Sequence, residues 1–194
     1  MSRLDLVVGP NGAGKSTFVA RVISPSWPAA VFVNADEIAQ ERWPGSPAEH
    51  SYEAARIASR TRQRLIELHR PFIAETVFSH PSKLDLVQTA RAEGYYVALH
   101  VILVPEELSV SRVAHRVVAG GHDVPEEKIR ARYHRIWPLV VRAAEMADSA
   151  HFWDNALFDG PHQAASLIAG LAVGRPDWPS WTPEALTQRW PAAP

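Results

Sequence analysis

A parallel α/β sheet covered by helices on both faces is the fold class this 194-residue sequence predicts, on three observations. Short, almost continuously apolar strand segments alternate with longer helical patterns, which is the rhythm of βαβ crossovers. The first strand, "LDLVV", runs into "GPNGAGKSTF" at residues 9–18, where Gly9, Gly14, Lys15 and Ser16 keep the G-x-x-x-x-G-K-[ST] spacing of a phosphate-binding P-loop. A helical pattern leaves that loop at once, which is the context the motif needs. The expectation is a P-loop NTPase/kinase fold with a five-stranded parallel sheet and a helical lid.

The strands are expected at 4–8, 30–34, 71–75, 96–104 and 150–153. A helix over 17–23 follows the loop. A second, over 47–69, opens on "SPAE", with Ser46 capping, Pro47 starting and Glu49 closing a capping box. Residues 81–93 stop at Gly94, and 105–119 stop at Gly120 and Gly121. The helix over 125–147 contains Pro138, which is expected to kink or split it. A last helix is expected over 161–172. "VPEE" at 104–107 and at 124–127 reads twice as a helix start, proline followed by acids. Residues 1–174 form one P-loop kinase-like domain in this reading. The stretch 175–194 is a Pro/Trp-rich tail that either packs its rings on the body or engages another protein.

Composition narrows the function classes. Hydrophobic residues make up 46% and charged residues 21% of the chain, with net charge −1. No whole-protein field points to nucleic acid or to a membrane surface. There is no cysteine, hence no disulfide and no thiolate metal site. No apolar run approaches the ~20 residues of a membrane span. "MSRLDLVV" leads straight into the first strand, so no signal peptide and a cytoplasmic location are expected.

The loop residues Gly9, Pro10, Asn11, Gly12, Ala13, Gly14, Lys15, Ser16 and Thr17 are the expected nucleotide cradle. Glycines let successive N–H groups turn inward around a phosphate, and the helix start adds partial positive charge. Lys15 would reach the β- and γ-phosphates and Ser16 would ligate Mg²⁺. The chain lacks the "LSGGQ" signature of transporter ATPases and the "NKxD" guanine reader of switch GTPases, which leaves a small one-domain kinase as the best fit. Such an enzyme needs an acceptor base, groups that hold the acceptor, and cations for the moving phosphoryl group. Asp36, in "VNADEIA" after the second strand, would emerge at the ligand-binding edge of the sheet as that base. The alternative is that Asp36, like Asn34, caps the next helix. Glu75 and Thr76 end the third strand at the same edge, where Glu75 holds substrate hydroxyls or a Mg²⁺ water, or else caps. Residues 112–142 carry seven of the twenty Lys/Arg against three acids. They read as a lid hinged at Gly120 and Gly121, with Arg116, Arg132 and Arg135 closing over the phosphates.

The segments "GPNGAGKSTF", "VNADEIA", "FIAETVFS", "RVAHRVVAGGHDVPEEKIRARYHR" and "FWDN" together resemble the compact members of the zeta toxin family over residues 1–160 or so. The resemblance implies a fold related to shikimate and adenylate kinases and ATP–Mg²⁺ phosphoryl transfer, with Asp36 as base. It implies a small-molecule hydroxyl as acceptor, such as the sugar of a nucleotide sugar, and a small antitoxin protein as partner. His122 stands where a lid arginine is expected and is grouped with the substrate-binding residues. Asp154 or Asn155 is expected beside the adenine. The other readings are an antibiotic or other small-molecule phosphotransferase, a non-catalytic ATP-binding module with a protein partner, and a polynucleotide kinase, against which the neutral net charge argues.

Overall fold

The computed structural model describes residues 2–118, 124–157 and 159–192. Five strands run parallel: β1 (Arg3–Val8), β2 (Val31–Val33), β3 (Phe72–Thr76), β4 (Tyr96–Leu103) and β5 (Ser149–Asp154). Two more, β6 (His162–Ile168) and β7 (Leu171–Ala172), add antiparallel to β5, so the sheet order is β2-β3-β1-β4-β5-β6-β7. The sheet is therefore mixed and seven-stranded, not the expected five parallel strands. β1 lies in the middle, between β3 (Val7 opposite Glu75) and β4 (Val7 opposite His100). The chain reverses its direction of travel across the sheet there, which is where open α/β folds bind ligands.

The helices are α1 (Lys15–Phe18), which widens into a π-helical turn over Val19–Ile23, α2 (Ala35–Arg42) and α3 (Ser51–Glu67). They continue with α4 (Ser82–Ala92), α5 (Glu106–Val118), α6 (Glu126–Met146) and α7 (Glu184–Arg189). Successive strand residues point to opposite faces, and both faces are cored. Leu4, Leu6 and Val8 join the larger cluster with Ile136, Val140 and Leu84, while Val7 packs with Phe18, Val19 and Ile102. Strands buried on both faces explain their unbroken apolar runs.

Three expectations about helices are corrected. The helix expected over 161–172 is the β6–β7 hairpin, closed by Ala169 (φ 48°) and Gly170 (φ 77°). Two consecutive positive φ values suit the tight turn whose twist matches its strands, and an alanine there gives no sequence warning. The second long helix begins at Ser51, not at Pro47. Residues 46–51 turn instead through Glu49 N–H to Ser46 O and Ser51 N–H to Ala48 O, while His50 stacks on Trp43 at 4.5 Å. Pro138 does not split α6, which runs unbroken with Ile129, Tyr133, Ile136, Trp137 and Val140 buried on either side of it. That packing outweighs the ~3 kcal/mol an internal proline costs. The C-terminal stretch is not among these corrections, for it packs its rings on the body: Leu186 and Trp190 are buried, and Trp178 and Trp190 pack on Phe152 at 5.2 and 5.8 Å. The Trp190 indole N–H donates to Gly170 O at 2.9 Å.

Candidate active site

The loop from Gly9 to Ser16 leaves the carboxyl end of β1 and enters α1. Its glycines sit at φ 150° (Gly9), 70° (Gly12) and 86° (Gly14). A Cβ at Gly9 would lie 2.5 Å from Ile102 O, one at Gly12 2.8 Å from Ser109 O, and one at Gly14 2.6 Å from Asn155 Nδ2. Only glycine both takes these angles and lets the loop lie flat on the elements behind it. Polar contacts hold it there. Ser109 Oγ donates to Asn11 O (2.6 Å), the Asn155 amide donates to Ala13 O (2.7 Å), and Arg112 donates to Asn155 O (3.0 Å). The first helical hydrogen bond runs from Phe18 N–H to Gly14 O, so the amides of Lys15, Ser16 and Thr17 have no intrahelical acceptor and carry the positive end of the helix.

Lys15 is buried, and its ammonium donates to Pro10 O at 2.9 Å and lies 3.9 Å from Glu75 Oε1. Burial pushes its pKa down; the Glu75 and Asp36 carboxylates oppose this, and the Arg116 cation adds to it. Glu75, with only 8% of its side chain exposed, accepts from Ser16 Oγ (2.8 Å) and from the Asn34 amide (2.9 Å) through Oε2. Burial raises its pKa above the usual carboxylate range against the pull of Lys15, Ser16 and Asn34, and Asp36 pushes the same way as burial. Glu37 is also raised, by burial and by the Glu75 charge. Asn34 Oδ1 accepts from Asp36 N–H at 2.8 Å and is the cap of α2. The exposed Asp36 side chain is thus left unused by the cap, and its charge reaches Lys15 and Glu75.

The other expected residues lie as follows. Thr76 ends β3 beside Val8 of β1, partly exposed at the same edge. Arg116 is exposed on α5, close enough for its charge to act on Lys15. Arg132 is partly exposed on α6, and Arg135 turns back to Ala131 O of its own helix at 3.0 Å. Arg130, another cation of the expected lid stretch, is engaged by Glu106, Glu107 and Glu126. His122 and the glycines expected as a hinge, 120 and 121, lie outside the described residues. Asn155 spends its amide on the P-loop, and Asp154 Oδ1 accepts from Ala156 N–H in a tight turn. Sequence reasoning missed Ser109 and Arg112 as loop supports, since nothing in a helical pattern says which strand-edge loop it backs. It also undervalued Glu75, whose burial depends on the closeness of β1 and β3.

This donor set fits a nucleotide's phosphates: a buried ammonium, free amides at a helix start and a glycine loop with no room for a side chain. The oxygens of Ser16 and Glu75 suit a hard divalent cation. No group of three His, Cys, Asp or Glu is placed to hold a metal among the described residues. A cation here would therefore take most of its ligands from phosphate and water, as Mg²⁺ does.

Fold and loop together define a P-loop kinase-like α/β protein. Residues 4–138 match the AAA_33 family of AAA domains, and the chain belongs to that family. An uncharacterized protein of Haemophilus influenzae is 31% identical over 126 residues, covering 64% of this chain and 88% of the relative. A chain of the AvrRxo1-ORF1:AvrRxo1-ORF2 complex, solved with sulphate ions and with ATP, superposes at TM-scores of 0.71 and 0.69 with 18% and 19% identity. The match covers 99% of this chain and 64% of that one, so this protein spans under two thirds of its length. A chain of the PezAT chromosomal toxin–antitoxin system of Streptococcus pneumoniae superposes at 0.61 with 17% identity, covering 97% and 84%. At these identities the superpositions establish the fold. No helix of the described residues is long and apolar enough to cross a membrane.

Proposed function

We propose that this protein is an ATP-dependent small-molecule kinase of zeta-toxin type, which transfers the γ-phosphoryl group of ATP to an acceptor hydroxyl. The observation that carries the reading is the division of labour at the start of α2. Asn34 caps the helix, and the carboxylate of Asp36 is left exposed and outside the cap, its charge acting on Lys15 and Glu75. Lys15, Ser16 and the loop amides would hold ATP and its Mg²⁺, which supply the phosphoryl group and the electrophilic pull on it. Asp36 would orient the acceptor hydroxyl and take its proton as the new P–O bond forms and the bond from the γ-phosphorus to the β,γ-bridging oxygen breaks, ADP leaving. Glu75 fixes Asn34 and Ser16 and so keeps both sides of the site in register. Arg116, joined by Arg132 on lid closure, offsets the charge on the transferred group. A small antitoxin protein is the proposed partner and the cytoplasm the proposed compartment; the AvrRxo1-ORF1:AvrRxo1-ORF2 structure and the PezAT toxin–antitoxin system support the former. The test is mass spectrometry of a cellular metabolite pool incubated with ATP, Mg²⁺ and protein. A new phosphorylated metabolite with wild type and none with Lys15→Ala supports the reading; no phosphorylated product refutes it.

A further inference from the structure

Four neighbouring strands bring polar side chains together behind the P-loop helix: Asp5 from β1, His100 from β4, His151 from β5 and Ser166 from β6. His100 is the direct partner of His151 in the β4–β5 pairing, and Ser166 is its partner in the β5–β6 pairing. The two imidazoles stack with centroids 5.5 Å apart and planes inclined by 25°. Arg3 donates to both oxygens of Asp5 at 2.8 Å, and Asp5 Oδ1 also meets His100 Nε2 at 3.1 Å. His100 is 6% exposed, and its Nδ1 is buried with no hydrogen-bond partner among the described residues. His151 Nδ1 meets Ser166 Oγ at 3.1 Å, a hydroxyl able to donate or accept. The carboxylate of this cluster is therefore already shared by Arg3 and His100. A proton on the partly exposed His151 would place a cation there with no acid of its own. Burial holds the His151 pKa below the usual histidine range; His100 and Arg3 add to this, and Asp5 opposes it.

His151 stands at the foot of a line of contacts that reaches the nucleotide loop. Trp153 lies 6.4 Å from the His151 ring and 5.2 Å from Phe18, the last residue of α1. Phe18 in turn lies 5.8 Å from His100. Two residues beyond Trp153, Asn155 donates to Ala13 O of the P-loop at 2.7 Å. Phe18 is also where α1 gives way to the π-helical turn over Val19–Ile23, a rare geometry that gathers at functional sites. The helix whose first amides face the phosphate thus rests, through Phe18, on the imidazole that stacks on His151.

We propose that His151 is a proton-sensitive support of the nucleotide loop: neutral, it keeps β5 packed under α1, and protonated, it loosens that packing and weakens the hold on the nucleotide. This rests on the reading of the loop as a nucleotide site and adds a regulation to it. A histidine held neutral in the tight form takes up its proton first in the loosened one. The support is therefore complete above the unfolded value of about 6.5 and is lost as pH falls below it. One proton sets the ceiling, a fall in affinity of at most about tenfold per pH unit.

The test compares wild type with His151→Gln, which keeps a partner for Ser166, and His151→Phe, which keeps a ring for the stack; neither takes up a proton. Affinity for ADP with Mg²⁺ is measured by calorimetry on the full chain at about pH 7.5 and about pH 5.5, on either side of the unfolded histidine value. The nucleotide's own titration is common to all three proteins, so the comparison isolates residue 151. Between the two pH values, wild-type affinity is expected to fall about three- to tenfold further than that of either variant. The same fall in wild type and in a folded variant overturns the proposal. Failure of wild type to bind ADP at the higher pH strikes the nucleotide reading instead, and hydrogen exchange over residues 9–23 of the nucleotide-free proteins then decides the support. Faster exchange in wild type than in the variants at the lower pH alone sustains it; equal exchange at both pH values overturns it.

Discussion

Asp36→Asn separates a base from a cap, because the structure gives the cap to another residue. The α2 cap is Asn34 Oδ1, which accepts from the backbone N–H of residue 36, a bond the side chain at 36 does not affect. What the substitution removes from stability is one carboxylate near a helix N-terminus, about 0.3–1 kcal/mol. At about 2–4 °C per kcal/mol for a chain of this size, the melting temperature falls by no more than about 4 °C. ADP affinity holds, since Lys15, Ser16 and the loop amides are untouched. Phosphoryl transfer falls by ~10²–10⁴ for loss of a general base. Asn34→Ala is the contrasting variant. It loses the cap, about 1 kcal/mol, and the 2.9 Å bond to the Glu75 carboxylate, about 1.5–3 kcal/mol for a charged partner. Together these lower the melting temperature by about 5–15 °C. Calorimetric ADP binding, thermal melting and transfer rate are measured on the same preparations. Wild-type transfer by the Asp36→Asn protein would refute the reasoning and move the search for the base to Glu75.

Glu75→Gln removes a carboxyl whose pKa burial raises. A raised pKa means native stability is fullest below the unfolded value, about 4.3, and is lost as pH rises through the native value. The variant should therefore melt higher than wild type at pH 8, with the gap closing at pH 4, as thermal scans at both pH values will show. Asn155→Ala leaves Ala13 O without its 2.7 Å donor; ADP affinity by calorimetry should weaken about tenfold, the scale of one buried hydrogen bond, with little change in melting temperature. Trp190→Ala empties a core position 4% exposed and should cost about 3–5 kcal/mol in urea unfolding, whereas a loosely attached tail would cost almost nothing.

The P-loop and the parallel core were legible because each rests on local signals: fixed spacing in "GPNGAGKST" and apolar runs too long for a half-exposed strand. Asn34 and Asp36 were legible as a pair of possible caps, but which of them caps depends on side-chain direction, settled here by the bond from Asp36 N–H. The β6–β7 hairpin was not legible. Its "AG" turn is not a strong hairpin signal, and "HQAASLIAGLA" carries as much helical as strand character. Pro138 misled because propensity is local, whereas α6 is held by the core on both sides of the proline. The stack of His100 on His151 was invisible for a related reason: the two residues are far apart in the sequence, and only the pairing of β4 with β5 sets them side by side.

The most direct measurement follows label from the γ-position of ATP into a metabolite pool and into inorganic phosphate at the same time. Label is expected in an organic phosphate at a rate set by an added acceptor, greatly reduced with Asp36→Asn and lost with Lys15→Ala. Label appearing only in inorganic phosphate, at a rate no metabolite changes and Asp36→Asn leaves intact, would contradict the kinase reading.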